Sequence, residues 1–446
     1  MENIKKINFL QFLIFTIPFS IALGNPTTNL NILLIIILGI HRYKLDLFKI
    51  EKNLFNISLS FFFLFLNLTS FINFSNFTDD FNFTVNNPEH LLKSFLFLRY
   101  FLLYLILDKL LNDGEFNFKY IFFTSAFIST FLGIDMIIQN IFGVDLFGYE
   151  LMHGGIGAGF FGDELVAGGF LQKFSLFCIF LFPFINSNKI KNNKIIYFSL
   201  TSVFFLFIII LSYNRTPLVL FVLSLMVFII MDKDFRKFLI LILTGLILIF
   251  FLTFNFSTKF SGKFKTYFIS INEIYKSVVL SDNKNISLTR DYKTGENVRK
   301  MLNSAYAELY KTSINLWKEK KIIGGGIKSF RINCHKYYEC STHPHNYVLE
   351  VLVETGAIGF ISVFIFSLIS LISFLKTYFK KNNLNNSDDT KFKIIIVVPF
   401  LILLMEIFPI RSSGSFFSTN NAVLIFMMLA FVQNSPKILK NISKQK

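Results

Sequence analysis

Apolar runs long enough to cross a membrane recur along most of this 446-residue chain. A stretch of about 18 or more apolar residues spans a bilayer as a helix. Twelve such runs can be marked, at roughly 7–24, 27–41, 54–72, 91–111, 119–142, 165–186, 195–212, 216–231, 238–254, 357–375, 394–410 and 419–433. The second and the eighth are short. Ile7–Gly24 is followed at once by Asn25-Pro26 and another apolar run, which predicts a helical hairpin rather than a cleaved leader. The pattern changes between residues 255 and 349, the one long polar stretch. Within it Leu309, Ile314, Leu316 and Trp317 form a rough apolar stripe, which predicts a helix over Ser304–Lys320. Gly324-Gly325-Gly326 then turns the chain; the alternative, a phosphate cradle, lacks the preceding strand and following Lys-Ser/Thr that such a loop needs. The predicted fold class is all-α, a polytopic membrane protein of about twelve transmembrane helices with one large periplasmic loop containing short helices. Residues 1–254 carry helices 1–9, 255–349 form the loop, and 350–446 carry helices 10–12 and a cytoplasmic tail.

Composition supports this class, with 53% hydrophobic residues and a mean hydropathy of +0.56. The 62 phenylalanines accompany abundant Asn, Lys and Ile, the signature of an AT-rich genome. Aromatic richness is therefore not taken as a set of base-stacking platforms, and no nucleic-acid partner is expected. The distribution of charge sets the orientation. With the N-terminus inside, the inner segments carry 23 Lys/Arg, whereas the short outer connections carry only Arg215 and Arg411. Such an excess marks the cytoplasmic side, so both termini are cytoplasmic and the 255–349 loop lies outside. That loop has sixteen Lys/Arg against seven Asp/Glu, which suits an anionic membrane surface or a phosphate-bearing ligand, or marks only a soluble loop in a lysine-rich protein.

Candidate chemistry gathers where the loop ends, in Cys340-Ser-Thr-His-Pro-His-Asn-Tyr-Val-Leu-Glu350, running on to Glu354-Thr-Gly356-Ala-Ile-Gly359. Polar residues at a membrane face mark a functional site by default. Neutral His345 can take a proton from a hydroxyl; the plain reading is an interfacial histidine bonded to backbone, which neighbouring His343, Asn346 and Glu350 weaken. Pro344 disfavours helix at His343, so the next helix starts near Asn346, a good cap. Glu350 and Glu354 share one helical face. Arg215, in Ser212-Tyr-Asn-Arg-Thr-Pro217, is a fork suited to a diphosphate, against the plain reading of a snorkelling helix-end arginine. Topology brings Arg411 to the same face. The glycine-rich 154–164 segment reads as a re-entrant or gating loop. Cys178 lies in an apolar run as a packing residue, while Cys334 and Cys340 fall in the outer loop. An oxidising compartment favours a disulfide between them, with a metal site among Cys334, His335, Cys340, His343 and His345, or free thiols, as alternatives.

Four blocks, Ser212–Pro217, Ile322–Phe330, His343–Gly359 and Phe408–Asn421, resemble the O-antigen ligase and polymerase family of bacterial envelope glycosyltransferases. The most specific is His-x-His-Asn-Tyr followed by Glu-x-Gly-x-x-Gly. The resemblance implies a multi-pass enzyme of the bacterial inner membrane with its active site at the periplasmic face. It implies a glycan donor on polyprenyl (undecaprenyl) diphosphate and an acceptor that is lipid A core in the ligases or another lipid-linked glycan in the polymerases. Metal, cofactor and nucleotide-sugar are not used. The family arginine maps onto Arg215 and the family histidine onto His345, with His343, Asn346 and Glu350 in support. A second family arginine, in the outer loop, falls in register at Tyr306, so Arg299 or Arg290 is left to replace it; Arg215, Arg299 and Arg411 are then the diphosphate candidates. A transporter is the competing class, but no internal repeat is detectable and the polar residues gather at one face rather than the midplane.

Overall fold

A computed structural model describes residues 8–76, 89–152, 155–162, 164, 166–185, 194–232, 251, 305–337, 340–380, 386–408 and 414–444. Among them every named element is helical. The first nine helices are α1 Phe9–Phe15, α2 Ile17–Ala22, α3 Asn25–Tyr43, α4 Leu54–Asn76, α5 Glu89–Asn112, α6 Phe118–Phe142, α7 Ala167–Ile179, α8 Lys194–Leu211 and α9 Arg215–Met231. Within the loop lie α10 Ala305–Glu319 and α11 Ser329–Asn333, and after them come α12 Tyr347–Tyr378, α13 Asn386–Glu406, α14 Thr419–Gln433 and α15 Ser435–Lys444.

Among the described residues, three helices are long and apolar enough to cross a membrane, at Leu54–Asn73, Phe118–Phe142 and Tyr347–Tyr378. A fourth candidate joins Thr419–Gln433 to Ser435–Ser443 across a 54° bend. Among the other runs, Ala167–Ile179, Ile196–Leu211 and Arg215–Met231 are shorter apolar helices, while Asn25–Tyr43, Glu89–Asn112 and Asn386–Glu406 are of spanning length but more polar. The expected span 7–24 is split at Thr16, because Pro18 has no N–H to continue the ladder and the Thr16 hydroxyl donates instead to the Leu13 carbonyl at 2.9 Å. The hairpin with α3 is nonetheless formed: the Asn31 amide donates to the Leu13 carbonyl and the Ser20 hydroxyl, each at 3.2 Å. The expected span 165–186 shortens to α7 and a 3-10 turn at Phe182–Phe184. The expected span 238–254 lies, except for residue 251, outside the described residues.

Hydrocarbon is as apolar as leucine, so close packing and interhelical hydrogen bonds, rather than escape from water, hold such helices together. Both devices are present. A large aromatic-rich core runs through the bundle, with Phe62, Phe63, Tyr100, Phe416 and Phe426 all buried. At the α4–α12 contact, the Ser58 hydroxyl donates to the Ser362 carbonyl at 2.9 Å and the Ser362 hydroxyl returns the bond to Ser58 at 2.8 Å. A smaller cluster of Leu309, Leu316, Phe330, Cys334 and Val353 fastens the loop helices α10 and α11 to the first turns of α12.

Candidate active site

The helix that follows the two histidines is built in two pieces. Asn346 caps it, its side chain accepting the Leu349 N–H at 3.1 Å. Ten residues on, Gly356 leaves helical geometry with a φ of +62°. The break frees carbonyls on one side and N–H groups on the other, and in a membrane each must find a partner. The preceding glycine segment supplies them. Gly325 and Gly326 donate to the carbonyls of Val353 and Glu354 at 2.9 and 2.8 Å, while Ala357 and Ile358 donate to Lys321 and Ile322 at 2.8 and 3.2 Å. A Cβ on Gly356 would stand 2.3 Å from the Ile322 oxygen, and one on Gly324 would stand 2.4 Å from the Gly356 nitrogen. Gly324–Gly326 is thus more than the expected turn: it is a clip that closes the break in α12. Asn73, at the end of α4, holds the clip by donating to the Gly324 carbonyl at 3.1 Å and accepting the Lys320 ammonium. Burial at this junction, with Lys336 nearby, lowers the pKa of Lys320.

The clip and the cap fix the segment between them. His345 has a φ of +56°, a left-handed conformation uncommon outside glycine, which a surrounding structure must enforce. Its ring lies 4.1 Å from that of His343. The His345 Nε2 is 3.5 Å from the Ser341 hydroxyl, and the His343 Nδ1 is 2.9 Å from the Thr342 hydroxyl. Cys334 and Cys340 are joined by a disulfide, which ties the end of α11 to the residue just before Ser341. Glu350, one turn into α12, is buried, and its carboxylate accepts the Phe416 N–H at 2.6 Å and the Ser415 hydroxyl at 2.5 Å from the neighbouring loop. Through these bonds Glu350 anchors the turn that opens α14.

Arg215 is the exposed first residue of α9, following Tyr213 with a φ of +53°. That turn is seated on α7, where a Cβ on Gly168 would stand 2.5 Å from the Ser212 hydroxyl and 3.0 Å from Asn214. Farther along α7, Lys173 forms an ion pair of 3.0 Å with Glu406 at the end of α13, and Glu406 also accepts the Tyr347 hydroxyl at 3.0 Å. Tyr347 is two residues from His345. The Arg215 turn and the histidine segment therefore meet the same end of the bundle, joined by a buried Lys–Glu–Tyr chain running from α7 through α13 to α12. Arg411, Arg299 and Arg290 lie outside the described residues, as does most of the 255–349 loop. The glycine-rich segment folds back on α6, where the Gln139 side chain accepts the N–H groups of Ala158 and Gly159 at 3.0 and 2.9 Å.

Residues 200–364 match the family model described as O-antigen ligase. That match supports the O-antigen ligase family. The matched O-antigen ligase segment begins within α8, contains Arg215 and His345, and ends in α12. No curated protein matches the chain. Lys173 and Glu406 lie outside the matched segment and were not singled out by motif. Their signal is compositional: each is the one charged residue in its apolar run, 165–186 and 394–410. A lone charge in such a run needs a partner, and these two supply each other.

Proposed function

We propose that this chain is a twelve-span glycosyltransferase of the bacterial inner membrane that moves a glycan from polyprenyl diphosphate to a sugar hydroxyl of lipid A core at the periplasmic face. The observation that carries the reading is the O-antigen ligase match over 200–364, which includes both the Arg215 turn and the His345 segment. In the proposed reaction His345 accepts the proton of the acceptor hydroxyl as its oxygen attacks the anomeric carbon. The bond from that carbon to the diphosphate oxygen breaks, and the diphosphate departs with the electron pair. Arg215 stabilises the negative charge that grows on it. Attack opposite the leaving group inverts the anomeric centre. His343 and Asn346 set the position of His345, and Arg299 and Arg411 are the further candidates for gripping the carrier.

Deletion of the gene with analysis of surface polysaccharide tests the reaction, and complementation with His345→Ala and Arg215→Ala tests the residues. Loss of long chains from lipid A, with polymer accumulating on the carrier, is the expected result. Single repeats capping lipid A would assign the polymerase reaction instead. Full transfer by either variant at normal protein level would overturn the residue assignment.

A further inference from the structure

Among the described residues, the loop helix α10 buries one face and exposes another, with Trp317 at the border, partly buried against the Leu309–Leu316 cluster. Leu309, Thr312, Ser313 and Leu316 are buried. On the opposite side stand Lys311, Ile314 and Lys318, continued by Lys321 and Ile322 in the turn beyond. Ile314 is 40% exposed and Ile322 is 65% exposed. Trp317 shares the Ile314–Lys321 side, and its indole N–H donates to the Lys321 carbonyl at 3.2 Å. The one acidic residue of this stretch, Glu319, accepts the Tyr337 hydroxyl and so is turned toward the protein.

Depth along the bundle says what this face meets. Lys320, next to Lys321, donates to Asn73, the last residue of the apolar span Leu54–Asn73. Gly326 lies against Ser70, one turn further into that span. The Ile322 carbonyl accepts an N–H from Ile358, within the span Tyr347–Tyr378. Ile314, Trp317 and Ile322 are thus held at the level where membrane spans end, and the lysines stand among them. Apolar side chains interleaved with lysine at that depth match an anionic headgroup layer, where short apolar groups enter the acyl boundary and ammonium groups meet phosphate.

We propose that the Lys311–Ile322 face docks on anionic phospholipid at the rim of the bundle. Ile314, Trp317 and Ile322 sit at the upper acyl carbons, and Lys311, Lys318 and Lys321 on the phosphates. The surface holds α10, and through its cluster with Val353 the first turns of α12, at a fixed height relative to lipid. The inference does not depend on the glycosyl-transfer reading, and its test measures lipid contact rather than transfer.

Trp317 is the single tryptophan of the chain, so its fluorescence reports this face alone. The full chain is reconstituted in vesicles of phosphatidylcholine and phosphatidylglycerol at a fixed ratio, with one or the other lipid brominated on its upper acyl carbons. Brominated phosphatidylglycerol is expected to quench Trp317 at least about twofold more than brominated phosphatidylcholine at equal mole fraction, with little quenching by aqueous iodide. Replacing Lys311, Lys318 and Lys321 by Gln is expected to erase the preference, each lysine near the surface contributing about fivefold in lipid partition. Equal quenching by the two lipids would overturn the proposal. So would strong iodide quenching without lipid quenching, the mark of a water-facing helix. Protection from both quenchers, the mark of a second protein or a second copy over the face, would also overturn it.

Discussion

Replacement of Lys173 by Met tests the buried chain that joins the two halves of the candidate site. Lys173 and Glu406 are 3.0 Å apart, with side-chain exposures of 12% and 0%. At that 3.0 Å separation the gross attraction is about 5.5 kcal/mol for an effective dielectric of about 20, most of it offset by desolvation. The net worth of the pair is therefore small, but breaking it from one side is not. Lys173→Met keeps the length of the side chain while leaving the wholly buried Glu406 without this counter-charge, and costs about 3–5 kcal/mol. Glu406→Gln is milder, because the flexible stem of Lys173 and its 12% exposure let the ammonium reach water. Replacing both, Lys173→Met with Glu406→Leu, removes the uncompensated charge and is expected to recover most of the loss. The assay is the thermal midpoint of the detergent-solubilised protein, followed by the monodisperse peak in size exclusion. The expected order of stability is parent and double variant highest, Glu406→Gln next, Lys173→Met lowest. A Lys173→Met protein as stable as its parent, or a double variant worse than the sum of the singles, would refute the argument that an unpaired buried carboxylate is what matters.

Two other substitutions address the clip and the disulfide. Gly356→Ala places a methyl 2.3 Å from the Ile322 oxygen at a positive φ; it is expected to cost at least about 1–2 kcal/mol from conformation alone and to lower the yield of monodisperse protein sharply. Gly169→Ala, in α7 with nothing within 4 Å, is the control and is expected to be neutral or slightly stabilising; equal behaviour of the two would remove the clip as a requirement. Replacing Cys334 and Cys340 by Ser opens a small ring, worth about 2 kcal/mol, and is expected to reduce transfer and to lower the thermal midpoint modestly, because the ring braces the Ser341–His345 segment and meets α12 through Cys334 in its cluster with Val353. Undiminished transfer by the double serine variant, measured in membranes at matched protein level, would show that the ring does not position His345.

Much of the molecule is written locally and can be read without coordinates. Hydropathy marks a helical membrane protein, and helix-end chemistry marks where elements begin: Asn346 is the cap of α12, α9 opens at Arg215 beside Pro217, and the last apolar run matches α14 closely. These features depend on residues within a turn or two of one another, so a single pass along the chain finds them. The lengths of the spans are less legible. Hydropathy does not register that Pro18 removes a ladder donor or that α7 gives way to a 3-10 turn, and both shorten helices that composition alone extends.

Pairing across the chain belongs to the fold. The triple glycine and the Glu-x-Gly-x-x-Gly motif are separately visible, but only packing shows that one supplies the backbone partners lost by the break in the other. Lys173 and Glu406 each stand alone in an apolar run, and which charge answers which is set by how α7 and α13 meet. Glu350 lies one turn from His345 in sequence, yet its carboxylate is claimed by Ser415 and Phe416 from the far end of the chain. A buried polar group in a bundle must be satisfied, which is a rule the sequence states by residue type. The partner that satisfies it is chosen by the arrangement of helices, because polar side chains in a bundle can hydrogen-bond across to neighbouring helices.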